Sequence, residues 1–416
     1  MRISWLSVSD QLGGSEVALL GMIKGLRDAR PDWQCQVVLP GDGPLRERVE
    51  AAGAQCAVVP MPPALARVGE SAAIRGRWRA GATVALGLRL GASAFALPAY
   101  EARLARTLSS FQPDIIHTNG FKAHVLGARV RLPHSVVVWH LHEYVSGRRL
   151  TRWLMRRYAG RCSAIVANSA SVAADIASIF GTPPPVHVVR NAVDLKVFTP
   201  EGPRLDLDAL AGLPAAPAGV VRVGLVATFA LWKGQETFLD ALQRIPTSRP
   251  IRGYIIGGPV YDTSGSQHSK RELEAMIDAR NLRSRVGLTG FLESAPAMRS
   301  LDVVVHASSE PEPFGLVIAE AMACGRAVIT TAYGGAAELI EAGRDALVAP
   351  AGDARALATA IDRLAADPML RESIGSRARA AAMTRFAPDR MATDLASVFE
   401  TFAETVGPRR PLAQSA

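Results

Sequence analysis

Short apolar segments alternate with helix-like segments along almost the whole chain, and this alternation limits the fold more than any other feature. The apolar segments are residues 2–8, 35–40, 114–119, 135–140, 164–169 and 186–193, and then 221–229, 252–258, 286–291, 302–308 and 327–332. Strands that alternate with helices are typical of βαβ units, in which a parallel sheet is covered by helices on both faces. The sequence therefore predicts an α/β protein.

The alternation is interrupted once, at residues 201–219, which read EGPRLDLDALAGLPAAPAG. This composition is typical of a linker or a loosely held helix. We therefore predict two Rossmann-like doubly wound domains, 1–200 and 220–387, that face each other across a cleft. Ligands of such sheets lie beyond the carboxyl ends of the strands. A last helix over 388–406 is expected to pack back on the first domain, and 407–416 to be a disordered tail.

The chain carries a net charge of +9, and its arginines are concentrated in two segments. Residues 64–107, an apolar and basic helical insertion in the first domain, hold seven Arg and two Glu. Residues 148–161 hold six Arg and no acid, with Leu150 and Trp153 at helical spacing. This second segment is either the solvated face of a core helix or a surface for anionic lipid or a phosphorylated acceptor. Nucleic acid is not predicted as a partner, because no aromatic platform accompanies the arginines.

The most apolar stretch, residues 80–99, contains Arg89 and Pro98. It is predicted to be a helical hairpin or an interfacial helix, because a membrane span needs about 20 apolar residues without a central charge. The first residues, MRISWLSVSD, resemble a strand and not a signal peptide. Four scattered cysteines predict neither a disulfide framework nor a zinc site. The expected location is cytoplasmic, or peripheral at the inner face of the plasma membrane.

A glycine pair, Gly13 and Gly14, separates the first strand from the first helix. Such a turn lets backbone approach a ligand closely and directs helix amides at negative charge. The alternative is a tight turn with Ser15 as the N-cap. The dinucleotide fingerprint GxGxxG is absent at this turn, which disfavours a nicotinamide oxidoreductase.

Three histidines and an asparagine lie at predicted strand ends. His117 and Asn119 belong to the segment IIHTNG, and His140 and His142 to VVVWHLHE. Because strand ends face the ligand in this fold, His140 is placed to meet a substrate. The alternatives are a structural histidine, or a metal site, for which no third ligand is evident.

Lys233 lies in a loop between a strand and a helix, where a fixed lysine can neutralise phosphate without a metal. Alone it could equally be a solvated surface lysine.

The segment EPEPFGLVIAEAMACG, 310–325, places two carboxylates on either side of a predicted helix start. Its prolines keep Glu312 outside the helix, which begins near Phe314 or Gly315 and presents unsatisfied amides to an anion. Glu320 lies about two turns further on, roughly 9 Å along the axis, so the two acids address different parts of one extended ligand. Otherwise Glu320 pairs with a core arginine or a backbone group, since burying it alone is costly.

These residues resemble the retaining glycosyltransferases of family 4, which have the GT-B fold. The matching pieces of the C-terminal half are NAVD (191–194), KG (233–234), TGF (289–291), EPFGLVIAEAMACGRAVI (312–329) and GGAAEL (334–339). Glu312 and Glu320 match the E-x7-E pair of that family. The N-terminal half is similar in its GGSE loop, its IIHTNG segment and its histidine-bearing strand, so the resemblance spans nearly the whole chain.

The resemblance implies that the C-terminal domain holds a nucleotide-diphosphate sugar donor. By position, Glu320 is expected to bind the ribose hydroxyls and Glu312 to face the donor sugar. Lys233 is expected to bind the diphosphate, and the backbone of Phe291 to lie near the base.

Further contacts are implied at helix and strand ends. The amides of Phe314, Gly315 and Leu316 are expected to meet the diphosphate or the sugar. His140 is expected to touch the donor sugar, and Gly14 to lie near the diphosphate.

The implied reaction transfers the sugar with retention to a glycan or lipid-linked acceptor, in cell-surface polysaccharide or glycolipid synthesis. The resemblance implies attack from the front face, with the leaving phosphate helping to take the acceptor proton. Stabilisation of the oxyanion is expected to be the main contribution to catalysis. No cofactor and no metal ion are expected. The sequence DLD, 206–208, spells a metal-binding motif but lies in the predicted linker, so it is interpreted as chance.

Two positions depart from the family pattern. The family usually has an Arg about five residues before the lysine, where this chain has Thr228. This motivates a second hypothesis, a non-catalytic sugar-nucleotide-binding subunit of a polysaccharide-synthesis complex. The segment WHLHE leaves open whether His140 or His142 takes the family role, and His140 is favoured because it is predicted to close the strand.

Overall fold

The computed structural model describes residues 1–66, 80–260 and 266–403, and over 80–94 only the backbone elements. The chain divides into two compact units. Unit 1 consists of Met1–Asn191 and the segment from Pro388 onward, and unit 2 consists of Ala192–Ala387. The predicted tail, 407–416, and residues 67–79 of the predicted insertion lie outside the described residues.

Unit 1 is built on a sheet whose strands are β1 Arg2–Ser7, β2 Gln34–Leu39, β3 Gln55–Val58, β4 Ile115–Asn119, β5 Val136–Leu141, β6 Ala164–Ala167 and β7 Val186–Val188. Its first helices are α1 Gly14–Ala29, α2 Leu45–Ala51, α3 Pro63–Ala66, α4 Ala80–Phe111, α5 Phe121–Arg129, α6 Arg149–Tyr158 and α7 Ala170–Ile179.

The strands of unit 1 are all parallel and lie in the order β3-β2-β1-β4-β5-β6-β7. The order reverses between β1 and β4, where open parallel sheets bind ligands. In the register of the sheet, Ser7 pairs with Asn119, and Asn119 pairs with His140. The carboxyl ends of three neighbouring strands therefore bring these residues side by side.

Unit 2 is built on the strands β8 Val221–Val226, β9 Ile251–Ile256, β10 Val286–Gly290, β11 Val303–His306, β12 Ala327–Thr330 and β13 Leu347–Val348. Its helices are α8 Leu207–Leu210, α9 Gln235–Arg244, α10 Lys270–Ala279, α11 Ser294–Arg299, α12 Leu316–Ala323, α13 Ala354–Ala366 and α14 Pro368–Arg385, with 3₁₀ turns at Leu231–Lys233 and Gly335–Leu339. The strands are parallel in the order β10-β9-β8-β11-β12-β13, so the order reverses between β8 and β11.

Both faces of the unit 2 sheet are buried, which explains its continuous apolar runs. Along β11, Val303 and Val305 belong to one core cluster, and Val304 belongs to the cluster on the other face. Successive side chains of a strand point to opposite faces, so a strand between two helix layers must be apolar at every position. The predicted α/β class and the two Rossmann-like domains are confirmed.

The last described helix, α15 Pro388–Ala403, belongs to unit 1 and packs against α1. The two helices approach closely where Gly25 faces Ala392, since a Cβ built on Gly25 would lie 3.2 Å from the Ala392 Cβ. Phe399 is fully buried and makes edge contacts with Trp5 and His117, at ring-centroid distances of 6.1 and 5.6 Å. The C-terminal helix therefore completes the unit 1 core.

The segment predicted as a linker, 201–219, is instead part of unit 2. Asp208 is buried and accepts hydrogen bonds from Arg252 Nη1 at 2.8 Å and from the Tyr254 hydroxyl at 2.7 Å. Asp206 caps α8 by accepting from the Ala209 amide at 3.1 Å. Asp208 therefore holds this segment on the sheet, whereas Asp206 stabilises the short helix within it.

The helix α4 runs without a break from Ala80 to Phe111, so the hairpin predicted within 80–99 is wrong. Its last turns bury Tyr100, Leu104 and Leu108, which share one face because they are four residues apart. Among the described residues, no helix combines the length and the apolar character that crossing a membrane requires.

Candidate functional site

An ion pair lies at the point where the strand order of unit 2 reverses. The loop after β8 carries Lys233 and the loop after β11 carries Glu312, and Lys233 Nζ lies 2.7 Å from Glu312 Oε2. The two side chains are only 19% and 11% exposed. The sheet thus brings together a cation and an anion that are predicted site residues from different segments.

The loop after β8 is shaped by Gly234, which has a φ of +79°. A Cβ at this position would lie 2.0 Å from the carbonyl oxygen of Ala307, just after β11. Only glycine therefore allows the loop to lie against the next strand. Gln235 Nε2 donates to the carbonyl of Thr228 at 2.7 Å, which closes the loop around Lys233.

Lys233 has a second contact besides its carboxylate. Its Nζ lies 3.8 Å from the centroid of the Trp232 ring, within the range of a cation–π interaction. The ammonium is thus held between an anion and an aromatic face, which fixes its position.

Glu312 Oε2 is surrounded by donors from β11 and the residues after it. His306 Nε2 and Ser308 Oγ each lie 3.1 Å from this oxygen. Burial alone would raise the pKa of the Glu312 carboxyl, but the hydrogen bond from His306 and the charge of Lys233 outweigh it and lower the pKa to about 2. Glu312 is therefore a carboxylate at every physiological pH.

The helix α12 begins at Leu316, one or two residues after the predicted start. Its N-cap, Gly315, has a φ of +95° and provides no side-chain cap, so the first amides are available to a ligand. Phe314 is buried and packs edge-on against Phe386 at 6.2 Å between ring centroids. Only the backbone of Phe314 could therefore reach a ligand.

Glu320 lies on α12 and accepts a hydrogen bond from Ser294 Oγ at 2.9 Å. Ser294 is the first residue of α11, so the contact links two helices. Burial raises the pKa of Glu320 to about 7, against the weaker opposite effect of this hydrogen bond. A carboxyl in this setting gains from ligand hydroxyl groups that donate to it, because they stabilise its charged form.

Phe291 follows β10 and is 62% exposed. Its ring covers Gly258, where a Cβ would lie 2.6 Å from the ring edge. The Gly257 amide donates to the carbonyl of Gly290 at 2.9 Å and joins the ends of β9 and β10. The result is an exposed aromatic surface at the carboxyl edge of the unit 2 sheet.

In unit 1, the glycine pair forms the start of α1. Gly13 is the N-cap and Gly14 the first helical residue, and a Cβ at Gly14 would meet nothing within 4 Å. The alternative that Ser15 caps the helix is wrong, because Ser15 Oγ instead donates to the carboxylate of Glu16 at 2.9 Å. The Glu16 carboxylate lies beside this helix start, since a Cβ built on Gly13 would meet its Oε2 at 2.8 Å, and the space open to a ligand is therefore at Gly14.

The predicted histidines of unit 1 and Asn119 form one connected group. His117 Nε2 lies 3.1 Å from His140 Nδ1, and the rings of His140 and His142 stack at 4.1 Å. His142 Nε2 lies 2.6 Å from Asn119 Oδ1, and Asn119 Nδ2 donates to the carbonyl of Ser15 at 3.4 Å. The group thus reaches from the interior of the sheet to the start of α1.

The strand β5 ends at Leu141, and so His140 does not close it as predicted. His140 is 1% exposed, whereas His142 is only partly buried. Burial lowers the pKa of His142 to about 4 and that of His140 well below its usual value, so both rings are neutral at pH 7. The geometry favours His142 as the ring that meets a ligand, with His140 packed behind it.

Several polar residues of the site were missed from the sequence: His306, Ser308, Thr330 and Ser294. His306 had a readable signal, because it ends an apolar strand in DVVVHAS in the same way as the histidines of unit 1. Ser294 had none, because its role depends on a helix 26 residues away in sequence.

Sequence comparison identifies two families along the chain. The family described as "Glycosyl transferases group 1" matches residues 216–381, and "Glycosyltransferase Family 4" matches residues 12–197. Together these matches cover most of both units.

Individual relatives agree with these families. A D-inositol 3-phosphate glycosyltransferase of Xylanimonas cellulosilytica is 33% identical over 57% of this chain. The lipopolysaccharide core biosynthesis mannosyltransferase LpcC of Rhizobium leguminosarum is 30% identical over 60% of this chain and 67% of its own length. The chain spans only 56% of the length of the Xylanimonas relative.

Among solved structures, the Anabaena protein Alr3699/HepE has a similar fold throughout. It superimposes with a TM-score of 0.76 and 25% identity, over 96% of this chain and all of the Anabaena chain. That protein has been solved in complex with UDP and with UDP-glucose.

Proposed function

Because the chain belongs to the family 4 glycosyltransferases of the GT-B fold, we propose that it transfers a sugar from a nucleotide-diphosphate sugar to a glycan or lipid-linked acceptor. The transfer retains the anomeric configuration and needs no metal ion. The observation that carries the proposal is the buried pair of Lys233 and Glu312 at the strand-order reversal of unit 2. A fixed ammonium and a fixed carboxylate suit a ligand that combines phosphates with hydroxyl groups.

Lys233 and the open start of α12 provide the positive charge for the diphosphate. In the donor-free protein, Lys233 is neutralised by Glu312. A bound diphosphate competes for the ammonium, while the sugar hydroxyls donate to the Glu312 oxygens. The amides of Gly315 and Leu316 add dipoles that stabilise charge on the leaving phosphate.

In this proposal Glu320 and Phe291 bind the nucleoside half of the donor. Glu320, beside Ser294, accepts hydrogen bonds from the two ribose hydroxyls. The backbone of Phe291 lies near the base. The similarity to a protein solved with UDP-glucose makes uridine donors the first to test.

Unit 1 contributes the backbone at the start of α1, at Gly13 and Gly14. It also contributes the connected group of His117, Asn119, His140 and His142. In this proposal the backbone at Gly14 binds the diphosphate, and His142 donates to or accepts from a sugar hydroxyl. His117 and Asn119 hold the ring of His142 and its neighbour in place.

A role in cell-surface polysaccharide or glycolipid synthesis, at an anionic membrane surface, is supported by the helix α6. Its exposed face carries Leu150 and Trp153, which are 56% and 60% exposed, between the exposed Arg149 and Arg157. Exposed Trp and Leu beside arginine is the composition of interfacial helices. The protein should float with vesicles that contain anionic lipid, and Trp153→Ala should reduce flotation while Met369→Ala, at an exposed site of unit 2, should not. Equal behaviour with neutral vesicles would count against the membrane role.

The catalytic proposal is tested first by ligand-dependent stability. A panel of UDP-, GDP- and ADP-sugars is screened by thermal shift, and one base should raise Tm, because a ligand at 100 times its Kd stabilises by about 2.7 kcal/mol. Lys233→Ala should abolish the shift. Lys270→Ala, which removes an exposed lysine of the same unit, should preserve it.

Transfer is then measured with the donor that binds, in buffer with and without EDTA, and the anomeric configuration of the product is read by NMR. A non-catalytic sugar-nucleotide-binding subunit is the second candidate, favoured by Thr228 where the family has an Arg. Base-specific binding without hydrolysis or transfer, in the presence of glycan and lipid-linked acceptors, would support that alternative. Inversion, or loss of activity in EDTA, would overturn the proposed mechanism.

A further inference from the structure

We propose that His306 is a positioning residue that holds the Glu312 carboxylate in its working orientation, and that Thr330 holds His306. This inference rests on the proposed function, because it assigns Glu312 a role at the donor sugar. It concerns residues that neither touch Lys233 in the structure nor belong to the motif that revealed the site.

The three residues form a chain of contacts across two neighbouring strands. His306 Nε2 lies 3.1 Å from Glu312 Oε2, and His306 Nδ1 lies 3.1 Å from Thr330 Oγ1. His306 and Thr330 are register partners at the carboxyl ends of β11 and β12. Both are buried, at 5% and 0% exposure, so the sheet itself sets their separation.

The contacts determine which ring nitrogen of His306 carries the proton. Because Glu312 is ionised, a lone pair on Nε2 would face a carboxylate oxygen at 3.1 Å, which is repulsive. The Nε2 atom therefore donates its hydrogen towards Glu312, and Ser308 Oγ, 3.0 Å from Nε2, lies beside the same hydrogen. Thr330 Oγ1 accepts from the Ala332 amide at 3.2 Å, which leaves its hydroxyl hydrogen for His306 Nδ1. A backbone amide thus orients Thr330, Thr330 selects the tautomer of His306, and His306 orients Glu312.

The backbone of Glu312 is tied to the same loop. The Glu312 amide donates to the carbonyl of Tyr333 at 3.0 Å, three residues after Thr330. Ala332, between them, has a φ of +47°, a conformation that costs a non-glycine residue free energy. The loop after β12 therefore holds both ends of Glu312, its main chain directly and its carboxylate through His306.

This arrangement matters at the moment the donor binds. In the free protein, Lys233 neutralises Glu312, but a bound diphosphate draws the ammonium away. A buried carboxylate that loses its counter-ion is costly unless hydrogen bonds satisfy it. His306 and Ser308 still donate to Oε2 after that exchange, so Glu312 remains charged and correctly aimed at the sugar.

The test compares four variants by their kcat and KM for sugar transfer. His306→Leu removes the donor and His306→Gln restores an amide donor near the position of Nε2. Thr330→Val removes the hydroxyl that selects the tautomer. Thr331→Val is the matched control, because the neighbouring hydroxyl is buried and has no hydrogen-bond partner within the described residues.

We expect His306→Leu to lower kcat about 10- to 100-fold, the effect of a lost hydrogen bond to a charged group. KM for the donor should change less than kcat, because the lost hydrogen bond holds the carboxylate that faces the sugar and makes no contact with the nucleotide. His306→Gln should recover most of the lost kcat. Thr330→Val should show a smaller loss of kcat, and Thr331→Val none.

A His306→Leu enzyme that is folded by circular dichroism and keeps the wild-type kcat would overturn the inference, and so would a lowered kcat that His306→Gln does not recover. If His306→Leu does not fold, the kcat of Thr330→Val decides, and an unchanged kcat in that variant would overturn the inference too. A wild-type protein that transfers sugar from no donor would instead reject the proposed function, and the inference with it.

Discussion

Lys233 Nζ and Glu312 Oε2 lie 2.7 Å apart, although 79 residues separate them in sequence. The pair is the product of a sheet that places the loops after β8 and β11 next to each other. Because both side chains are mostly buried, each charge depends on the other for its stability. The pair is therefore both a structural contact and the proposed donor site.

Breaking this pair should destabilise unit 2. Lys233→Met or Glu312→Gln should each lower the free energy of unfolding by roughly 1–3 kcal/mol, because each leaves a mostly buried charge unpaired. The double variant should lose less than the sum of the two. The measurement is urea unfolding of the four proteins followed by circular dichroism. Strict additivity would show that the two charges do not interact in solution.

Substitution of His140, within β5, and of His142, just after β5, should have different effects on activity and stability. His142→Ala should lower kcat/KM for transfer by about tenfold or more while Tm changes little, because the ring is partly exposed and near the proposed substrate. His140→Ala should mainly lower Tm, because it leaves a cavity behind His142. Steady-state kinetics and thermal unfolding of both variants check this. The opposite pattern would restore His140 as the ligand-facing residue.

Unit 1 should lose stability as the pH falls below about 6.5. Burial lowers the pKa of His117, His124, His140 and His142 in the folded state, to about 3 for His124 and about 4 for His142. The unfolded chain binds protons at about pH 6.5, so the neutral folded form is favoured above that pH and disfavoured below it. At pH 5.5 the loss is roughly 1.4 kcal/mol per histidine.

The measurement for this acid effect is the free energy of unfolding in urea between pH 7.5 and 5.5. His124→Gln should flatten the pH dependence by one proton, because it removes one of the titrating rings. A slope that His124→Gln leaves unchanged would mean that this ring is protonated in the folded protein.

Gly234→Ala should displace the loop that carries Lys233. The new Cβ would lie 2.0 Å from the carbonyl of Ala307, in a residue with a φ of +79°. Gly352→Ala is the control, because Gly352 has a φ of +76° but nothing within 4 Å of the added Cβ. The control should cost about 1–2 kcal/mol from backbone strain alone. Gly234→Ala should cost clearly more and abolish the donor-induced thermal shift, and equal costs would refute the steric account.

Donor binding should depend on pH through Glu320. Its pKa is raised to about 7 by burial in the free protein, and ribose hydroxyls that donate to the carboxylate should lower that pKa. Binding should therefore release a proton below pH 7, and affinity for UDP should rise with pH and level off above about 7. Calorimetry in buffers of different ionisation enthalpy detects the proton. Glu320→Gln should abolish the release, and persistent release in that variant would place the titrating group elsewhere.

The local pattern of the sequence was sufficient for the fold class and for several site residues. The apolar runs predicted both parallel sheets, because a strand buried on two faces must be apolar along its length. The prolines around Glu312 predicted that this acid precedes α12, because proline excludes helix at its own neighbours. The position of Lys233 between a strand and a helix followed from the same reasoning.

Long-range contacts decided the rest. The segment around Asp208 resembles a linker, but its partners Arg252 and Tyr254, 44 and 46 residues away, hold it on unit 2. Whether His140 or His142 meets a ligand depended on where β5 ends, to within one residue. The local sequence pattern does not predict strand ends that accurately. Ser294 and Thr330 have ordinary local sequences and gained their roles from the helix and strand beside them.

The sequence by itself therefore determined the order of strands and helices, the class of the two domains and the residue types available for donor binding, because backbone periodicity and proline sterics are local properties. Only the tertiary structure decided that Lys233 pairs with Glu312, that His306 links the same carboxylate to Thr330, and that His140 is buried behind His142. Those relationships depend on which strands are neighbours and in what register, and a parallel sheet brings such neighbours together from distant parts of the chain.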